Sequence, residues 1–287
     1  MIDEKALTAA QTEQDYSKAR SQAFWASIWD RLRGETSELL NFEEVRQRLR
    51  LNDERYLGLQ DIPLDNIVGS VGRYKDFTRK FLPKGSINKD RWKAVDALAL
   101  GQSGFPPIEV YKVGDAYFVL DGNHRVSVAR SIGMPAIEAY VTELRTDVPF
   151  DKHTTPKDLF IKEGYARFLR ETHLKTLRPD SELLLTEPGN YQAILEHIEV
   201  HRYFVGINCG CPPTWEEAVT SWYDNVYMPV VRAIRQHNML EDFPDRTEAD
   251  LYVWIIWHQE ELTEHYIDPS VTLDDTVMDF IEKHVGL

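Results

Sequence analysis

The stretch Phe118-Val119-Leu120-Asp121-Gly122-Asn123-His124-Arg125-Val126-Ser127-Val128-Ala129-Arg130-Ser131-Ile132-Gly133 decides the fold. Ala116 to Leu120 is a short apolar run of the kind that forms a buried strand, and the Asp121-Gly122 pair that stops it permits a sharp reversal. A helix is expected from there. Val126, Val128, Ala129 and Ile132 fall largely on one helical side, Gly133 supplies a left-handed stop, and Pro135 blocks continuation. Ala136 to Leu144 reads as the next strand.

A strand, a tight turn and a helix N-terminus gather unpaired backbone N–H groups and the positive end of the helix dipole at one spot, which suits a phosphate. Arg125 can hold a phosphate through two parallel N–H bonds, His124 can donate a hydrogen bond or shuttle a proton, and Asp121 can bind Mg²⁺ or act as a base. A plainer reading stands beside this one. Asp121 or Asn123 caps the helix and Arg125 pairs with a surface carboxylate.

Asp121-Gly122-Asn123-His124-Arg125 after an apolar strand resembles the Asp-Gly-His-His-Arg or Gly-Gly-Cys-His-Arg signature of the ParB/sulfiredoxin superfamily. Upstream, Ile62-Pro63-Leu64-Asp65-Asn66-Ile67 resembles that family's opening strand, Arg91 to Leu100 its helix, and Pro106-Pro107-Ile108-Glu109-Val110 its Pro-Ile-x-Val strand. The likeness spans residues 61 to 147. It implies a small α/β domain whose signature binds a nucleotide's phosphates, in a family that includes CTP-using partition proteins, sulfinic-acid reductases and free-serine kinases. Reductase chemistry is set aside, because Asn123 stands where those enzymes need a cysteine and no thiol lies nearby. The Gly-Glu-Arg-Arg and Glu-Asn-x-Gln-Arg boxes of the partition proteins are absent in that form.

The resemblance therefore points to a nucleotide-binding protein, with ATP, ADP or CTP and Mg²⁺ as its cofactors, that transfers a phosphoryl group to a small hydroxyl-bearing molecule. Gly122 and Asn123 would contribute backbone N–H groups, Arg125 and His124 would hold phosphates, and Asp121 would bind Mg²⁺ or orient the acceptor. Arg73 and Lys75 are placed to close on those phosphates, Arg73 to stabilise transferred charge, and Tyr74 or Phe77 to stack on a base. The kinase branch's catalytic glutamate has no obvious counterpart, and Asp76 is the nearest acid. The alternative is a non-catalytic, nucleotide-dependent regulatory or DNA-associated protein.

The charge distribution separates these partners. Among 287 residues, 33 Lys and Arg stand against 47 Asp and Glu, a net of −14, so the surface as a whole should repel DNA. Between Arg73 and Lys93, however, eight basic residues face only Asp76 and Asp90, and such a patch suits a small polyanion better than a long duplex. From Val205 onward four basic residues face sixteen acidic ones. No apolar run approaches the roughly 20 residues of a membrane span and no signal peptide is evident, which predicts a cytoplasmic protein; a homo-oligomer is compatible with the sequence. Two cysteines separated by one glycine, Cys209 and Cys211, cannot make a disulfide framework. With His197 and His201 they offer zinc donors, but at poor spacing.

The expected class is α+β: an N-terminal helical arm over residues 1–60, the small α/β domain over 61–147, and a mainly α-helical domain over 148–287. In the arm, Ala19, Ala23, Phe24, Ile28 and Leu32 recur at helical spacing with Trp25 and Trp29 adjoining, and Asn41 is placed to cap a helix from Phe42 to Leu51. Gly69-Ser70-Val71-Gly72 reads as a flexible turn, and Arg79, Lys80, Lys84 and Lys89 as a solvated face. Ser86 or Asn88 should start a helix that Gly101 ends, and Ile108–Val113 with Ala116–Leu120 should form a hairpin. In the last domain helices are expected after Thr155, from Tyr191 to His201, after Thr214 with a kink at Pro229, from Glu248 to Glu264, and from Asp274 to Lys283. Trp222 to Tyr227 and Arg246 to Leu251 resemble a helical extension found after ParB-like domains in some bacterial proteins, which brings no activity with it. Arg246 fits a structural ion pair; Asp224, Glu248 and Asp250 are the acids of this half that could face a nucleotide.

Overall fold

The computed structural model describes residues 4–33, 38–84, 89–99, 105–265, 279–280 and 283. The chain divides into two compact units, Met1–Leu159 and Phe160–Leu287. The expected stops at Gly34 and Gly101, the helix start at Ser86 or Asn88, and most of the helix from 274 to 283 lie outside the described residues, as do the side chains of Trp25, Trp29 and Cys209.

The first unit contains, in order, α1 (Glu4–Arg33), β1 (Leu40–Asn41), α2 (Phe42–Leu49), β2 (Glu54–Pro63), β3 (Ile67–Ser70), α3 (Lys89–Ala99), β4 (Ile108–Val113), β5 (Ala116–Asp121), α4 (Asn123–Ser131) and β6 (Ala136–Leu144). One sheet joins all six strands in the order β1-β3-β5-β4-β6-β2. β4 and β5 form the expected antiparallel hairpin, with Val113 opposite Ala116 and Val110 opposite Val119, while β3 runs parallel on the other side of β5. β5 is therefore hydrogen-bonded along both edges. It is covered on both faces as well, since Ala116, Tyr117, Phe118 and Val119 are all buried.

Side-chain alternation explains that burial. Tyr117 and Val119 point into a core built with Ile108, Val110, Val126, Val128, Trp92 and Phe77. Phe118 points the opposite way, onto Phe42 of α2, whose ring stacks on Tyr111 of β4 at 4.5 Å. Asn41 caps α2 as its sequence position predicted, its Oδ1 accepting from the Glu43 N–H at 3.1 Å.

Three expectations need correction. Residues before 55 are not all helical, because β1 and the start of β2 lie there. β2 is an edge strand with one neighbour, so its sequence carries almost no apolar alternation and only pairing with β6 reveals it. Gly69 and Ser70 are the buried end of β3 and not a turn, and neither Gly69 nor Gly72 has positive φ. Gly69 is required by contact: a Cβ there would lie 2.4 Å from the Leu40 carbonyl oxygen and 2.5 Å from the Phe118 ring. Ile132, expected on the buried side of α4, is 46% exposed.

The divisions at 60/61 and 147/148 also differ from the observed one. The N-terminal segment supplies two strands of the sheet, and Tyr16 of α1 meets Trp92 of α3 edge-on at 5.4 Å, beside ion pairs from Glu13 to Lys89 and Lys93. Arg79 is no solvated cation either. Its guanidinium caps the Lys152 and Thr154 carbonyls at 2.9 and 2.6 Å, and burial lowers its pKa.

The second unit is helical: most of α5 (Asp158–Thr172), then α6 (Leu174–Leu177), α7 (Asn190–Cys209), α8 (Trp215–Trp222), a π-helical turn (Tyr223–Tyr227), α9 (Met228–Gln236) and α10 (Glu248–His265). Thr155 and Asp158 pair at the start of α5, and Thr214 with Glu217 completes a capping box on α8. The expected kink at Pro229 takes the form of the π-helical turn just before it, with Pro229 in the first turn of α9. Helix Tyr191–His201 runs further than expected, to Cys209, where Gly210 at φ 72° ends it. Trp222, Tyr227 and Tyr252 form the core of this unit, with Trp222 Nε1 donating to Tyr252 Oη at 3.0 Å.

Candidate anion site at the N-terminus of α4

Helix α4 begins at Asn123 after Gly122, whose φ of 106° only glycine adopts readily, and no side chain caps it. The first intrahelical bond runs from Val126 N–H to Gly122 O at 3.0 Å. The N–H groups of Asn123, His124 and Arg125 therefore precede the helix's own ladder. Asp121 to Arg125 of this turn line a cavity of about 90 Å³ together with Arg73 and with Arg91 and Val95 of α3. That volume accommodates a phosphate group and is too small to enclose a whole nucleotide.

Two side chains of the turn are buried with polar atoms that bond nothing in the protein. His124 is 5% exposed and neither ring nitrogen has a hydrogen-bond partner; Asn123 is 8% exposed and its Oδ1 has none. The imidazole packs edge-on against Phe77 at 5.7 Å. Burial, reinforced by the Arg91 and Arg73 charges and opposed by Asp76, lowers its pKa to about 4, so it is a neutral ring at pH 7.

The expected site residues fare unequally. Arg73 reaches the cavity but also pairs with Asp76 at 3.4 Å. Lys75 does not line it, and its Nζ lies 5.6 Å over the Tyr74 ring. Phe77 cannot stack on a base, being fully buried in the core. Arg125 is the main correction. Its guanidinium faces into the protein's own backbone, donating to Pro106 O at 2.9 Å and Pro107 O at 2.5 Å, and it also pairs with Asp121. It holds the β4 entry loop against the turn, and its pair with the exposed Asp121 is the plainer role weighed for it from sequence.

Arg91 is the residue that sequence reasoning missed as a ligand. From sequence it belongs to the family's helix and to the basic patch between Arg73 and Lys93, and its position four before Val95 puts both on one helical face. The two acids expected near Mg²⁺ both have arginine partners. Asp121 is taken by Arg125 and Asp76 by Arg73, and among the described residues no group of three His, Cys, Asp or Glu is arranged for a metal. Of the residues offered for zinc, His201 bonds Ser221 at 3.0 Å and His197 contacts Tyr252, while the side chain of Cys209 lies outside the described residues.

The acids of the second unit have partners of their own. Asp224 pairs with Arg178, Glu248 with Arg235 at 2.6 Å, and Asp250 accepts from Thr186 and Thr247. Arg246 makes the expected structural pair, with Glu187 at 2.7 Å, while lying over Trp254. No helix among the described residues is long and apolar enough to cross a membrane.

No protein-family model and no curated protein matches the sequence. Among solved structures, the sulfiredoxin of Arabidopsis thaliana is similar over 29% of this chain and 82% of its own length, at 19% identity and a TM-score of 0.24. A likeness that weak assigns nothing to the cavity.

Proposed function

We propose that this chain binds a phosphorylated small molecule, a nucleotide such as ATP, ADP or CTP in the first instance, with one phosphate seated at the N-terminus of α4. What supports this reading is that the turn whose three N–H groups lie outside the helical ladder lines one phosphate-sized cavity together with Arg73 and Arg91. The base and sugar would lie outside the cavity, on the basic segment between Arg73 and Lys93. Phosphoryl transfer to a small hydroxyl-bearing acceptor is the activity attached to it. His124, a neutral ring on the turn that lines the cavity, is the group proposed to receive the acceptor's proton.

A second reading, nucleotide occupancy without turnover, is favoured by one observation. Asp121 and Asp76, the two carboxylates expected to serve as bases, are both held by arginines. Thermal unfolding with each nucleotide, followed by a radiolabel assay for nucleotide consumption, separates the two. A ligand that binds the folded chain raises the melting temperature. Stabilisation with turnover supports transfer, stabilisation without turnover supports occupancy, and a melting temperature moved by no phosphorylated compound rejects both.

A further inference from the structure

Helix α7 has two dissimilar sides. Tyr191, Ile194, Leu195 and Ile198 recur at helical spacing and are buried. Val200 and Ile207 lie roughly 200° and 180° round the helix from Ile198, on the opposite side, and Tyr203 and Phe204 fall between them. All four are exposed, Val200 by 54%, Tyr203 by 67%, Phe204 by 58% and Ile207 by 59%, and the rings of Tyr203 and Phe204 meet edge-on at 5.6 Å. Nearer the N-terminus the same side is polar, with Gln192, Glu196 and Glu199 exposed. The outward side of one helix thus turns from polar to apolar along its length. Its four large side chains together show on the order of 450 Å² to solvent, the size of patch that marks an interaction surface.

We infer that this stripe is the contact between two copies of the chain, with their α7 helices antiparallel about a two-fold axis between Tyr203 and Phe204. The spacing 200, 203, 204, 207 reads the same in both directions. An antiparallel copy therefore sets Val200 against Ile207 and Tyr203 against Phe204, each contact occurring twice, as a two-fold interface requires. Charge selects the same orientation. No charged residue stands between Tyr203 and Trp215, so the antiparallel copy brings Glu196 and Glu199 beside an uncharged stretch, whereas a parallel copy would set each glutamate against itself. Those glutamates also argue against an anionic membrane, whose amphipathic helices carry basic rims. Two stripes in contact would bury on the order of 900 Å², below the span of permanent interfaces, so the dimer should be reversible. The anion site has no part in it.

Sedimentation equilibrium of the full chain from about 1 to 200 µM should show monomer and dimer exchanging with a dissociation constant on the order of 10 µM. Each copy carries a net charge of −14, so about 0.5 M salt should tighten the dimer by screening that repulsion. Tyr203→Glu and Phe204→Glu change exposed side chains, which spares the fold, and each should weaken the dimer at least about tenfold. Leu59→Glu, at an exposed apolar position of the first unit, should leave it unchanged. With Cys209→Ser and Cys211→Ser in place, oxidation should cross-link Val200→Cys to Ile207→Cys when the two variants are mixed, and should not cross-link Val200→Cys to itself. A monomer throughout that range, a dimer that survives Phe204→Glu, or cross-linking by Val200→Cys alone overturns the inference.

Discussion

Arg125 donates to the Asp121 carboxylate four residues earlier, so the two charged ends of the turn are fastened to each other. The same guanidinium binds the Pro106 and Pro107 carbonyls, and the side chain is mostly buried. An arginine used this way holds the turn in shape while it lines the cavity.

Arg125→Ala should therefore lower stability by about 2 kcal/mol, measured by urea unfolding, through loss of charge-assisted bonds to the Pro106 and Pro107 carbonyls. Arg125→Lys should recover little of it, because an ammonium cannot reproduce the forked geometry. Arg73→Ala and Arg91→Ala should behave in the opposite way, weakening anion binding several-fold with little change in the unfolding midpoint. If Arg125→Ala unfolds like the unaltered chain, its bracing role is wrong.

The acid limb of stability should be set by two buried groups acting against each other. His124 has its pKa lowered to about 4, so the unfolded chain takes up that proton first and stability falls as pH drops from about 6.5 to 4. Asp96 on α3 is fully buried with neither oxygen bonded; burial and the Asp15 charge raise its pKa to about 6, so its neutral form is stabilising at low pH and that contribution is lost as pH rises from about 4 to 6. The two slopes oppose one another between pH 4 and 6. Asp96→Asn should stabilise the chain by about 2 kcal/mol at pH 7, by nothing at pH 3.5, and should expose the full His124 slope. Parallel stability curves for the two chains across that range would reject the pairing.

Gly122→Ala should be among the most damaging small substitutions. The left-handed φ strains any side chain, and the new Cβ would lie 2.5 Å from Ile108 Cγ2. A loss of about 3 kcal/mol is expected, with anion affinity reduced because the first N–H groups of α4 tilt. Gly133→Ala, at φ 76° in open space, should cost about 1 kcal/mol and spare binding.

Arg130 gives a fourth test. Its guanidinium donates to the Leu64, Ile67 and Arg79 carbonyls and lies over the Phe81 ring at 5.4 Å, and burial lowers its pKa to about 10. Arg130→Met should cost about 3 kcal/mol by removing the guanidinium's bonds to those carbonyls, and calorimetry on the variant reads it directly.

What was legible in the sequence was local. The strand ending at Asp121, the glycine turn, the helix to Ser131, the strand from Ala136 and the caps at Asn41, Thr155 and Thr214 each follow from periodicity or from one polar side chain near an exposed N–H. What was not legible depends on residues far apart. Gly69 looks like a turn until Phe118, forty-nine positions on, packs against it, and β2 reads as nothing until β6 pairs with it. At the site the same division holds. The cradle of N–H groups was readable from the turn, whereas the direction of the Arg125 guanidinium depended on where the 106–107 carbonyls fold, and Arg91 arrives from a separate helix.

The placement of β5 between two hydrogen-bonded neighbours, under covered faces, has a kinetic consequence. The turn of the site starts just past the covered part of β5, Tyr117 to Val119, whose amides should exchange only when the whole unit opens, so the turn should hold its shape. An arriving anion then finds its donors already in position and has no loop to order. Its capture should follow a single diffusion-paced phase in stopped-flow mixing, slowed by salt and not by temperature-sensitive rearrangement.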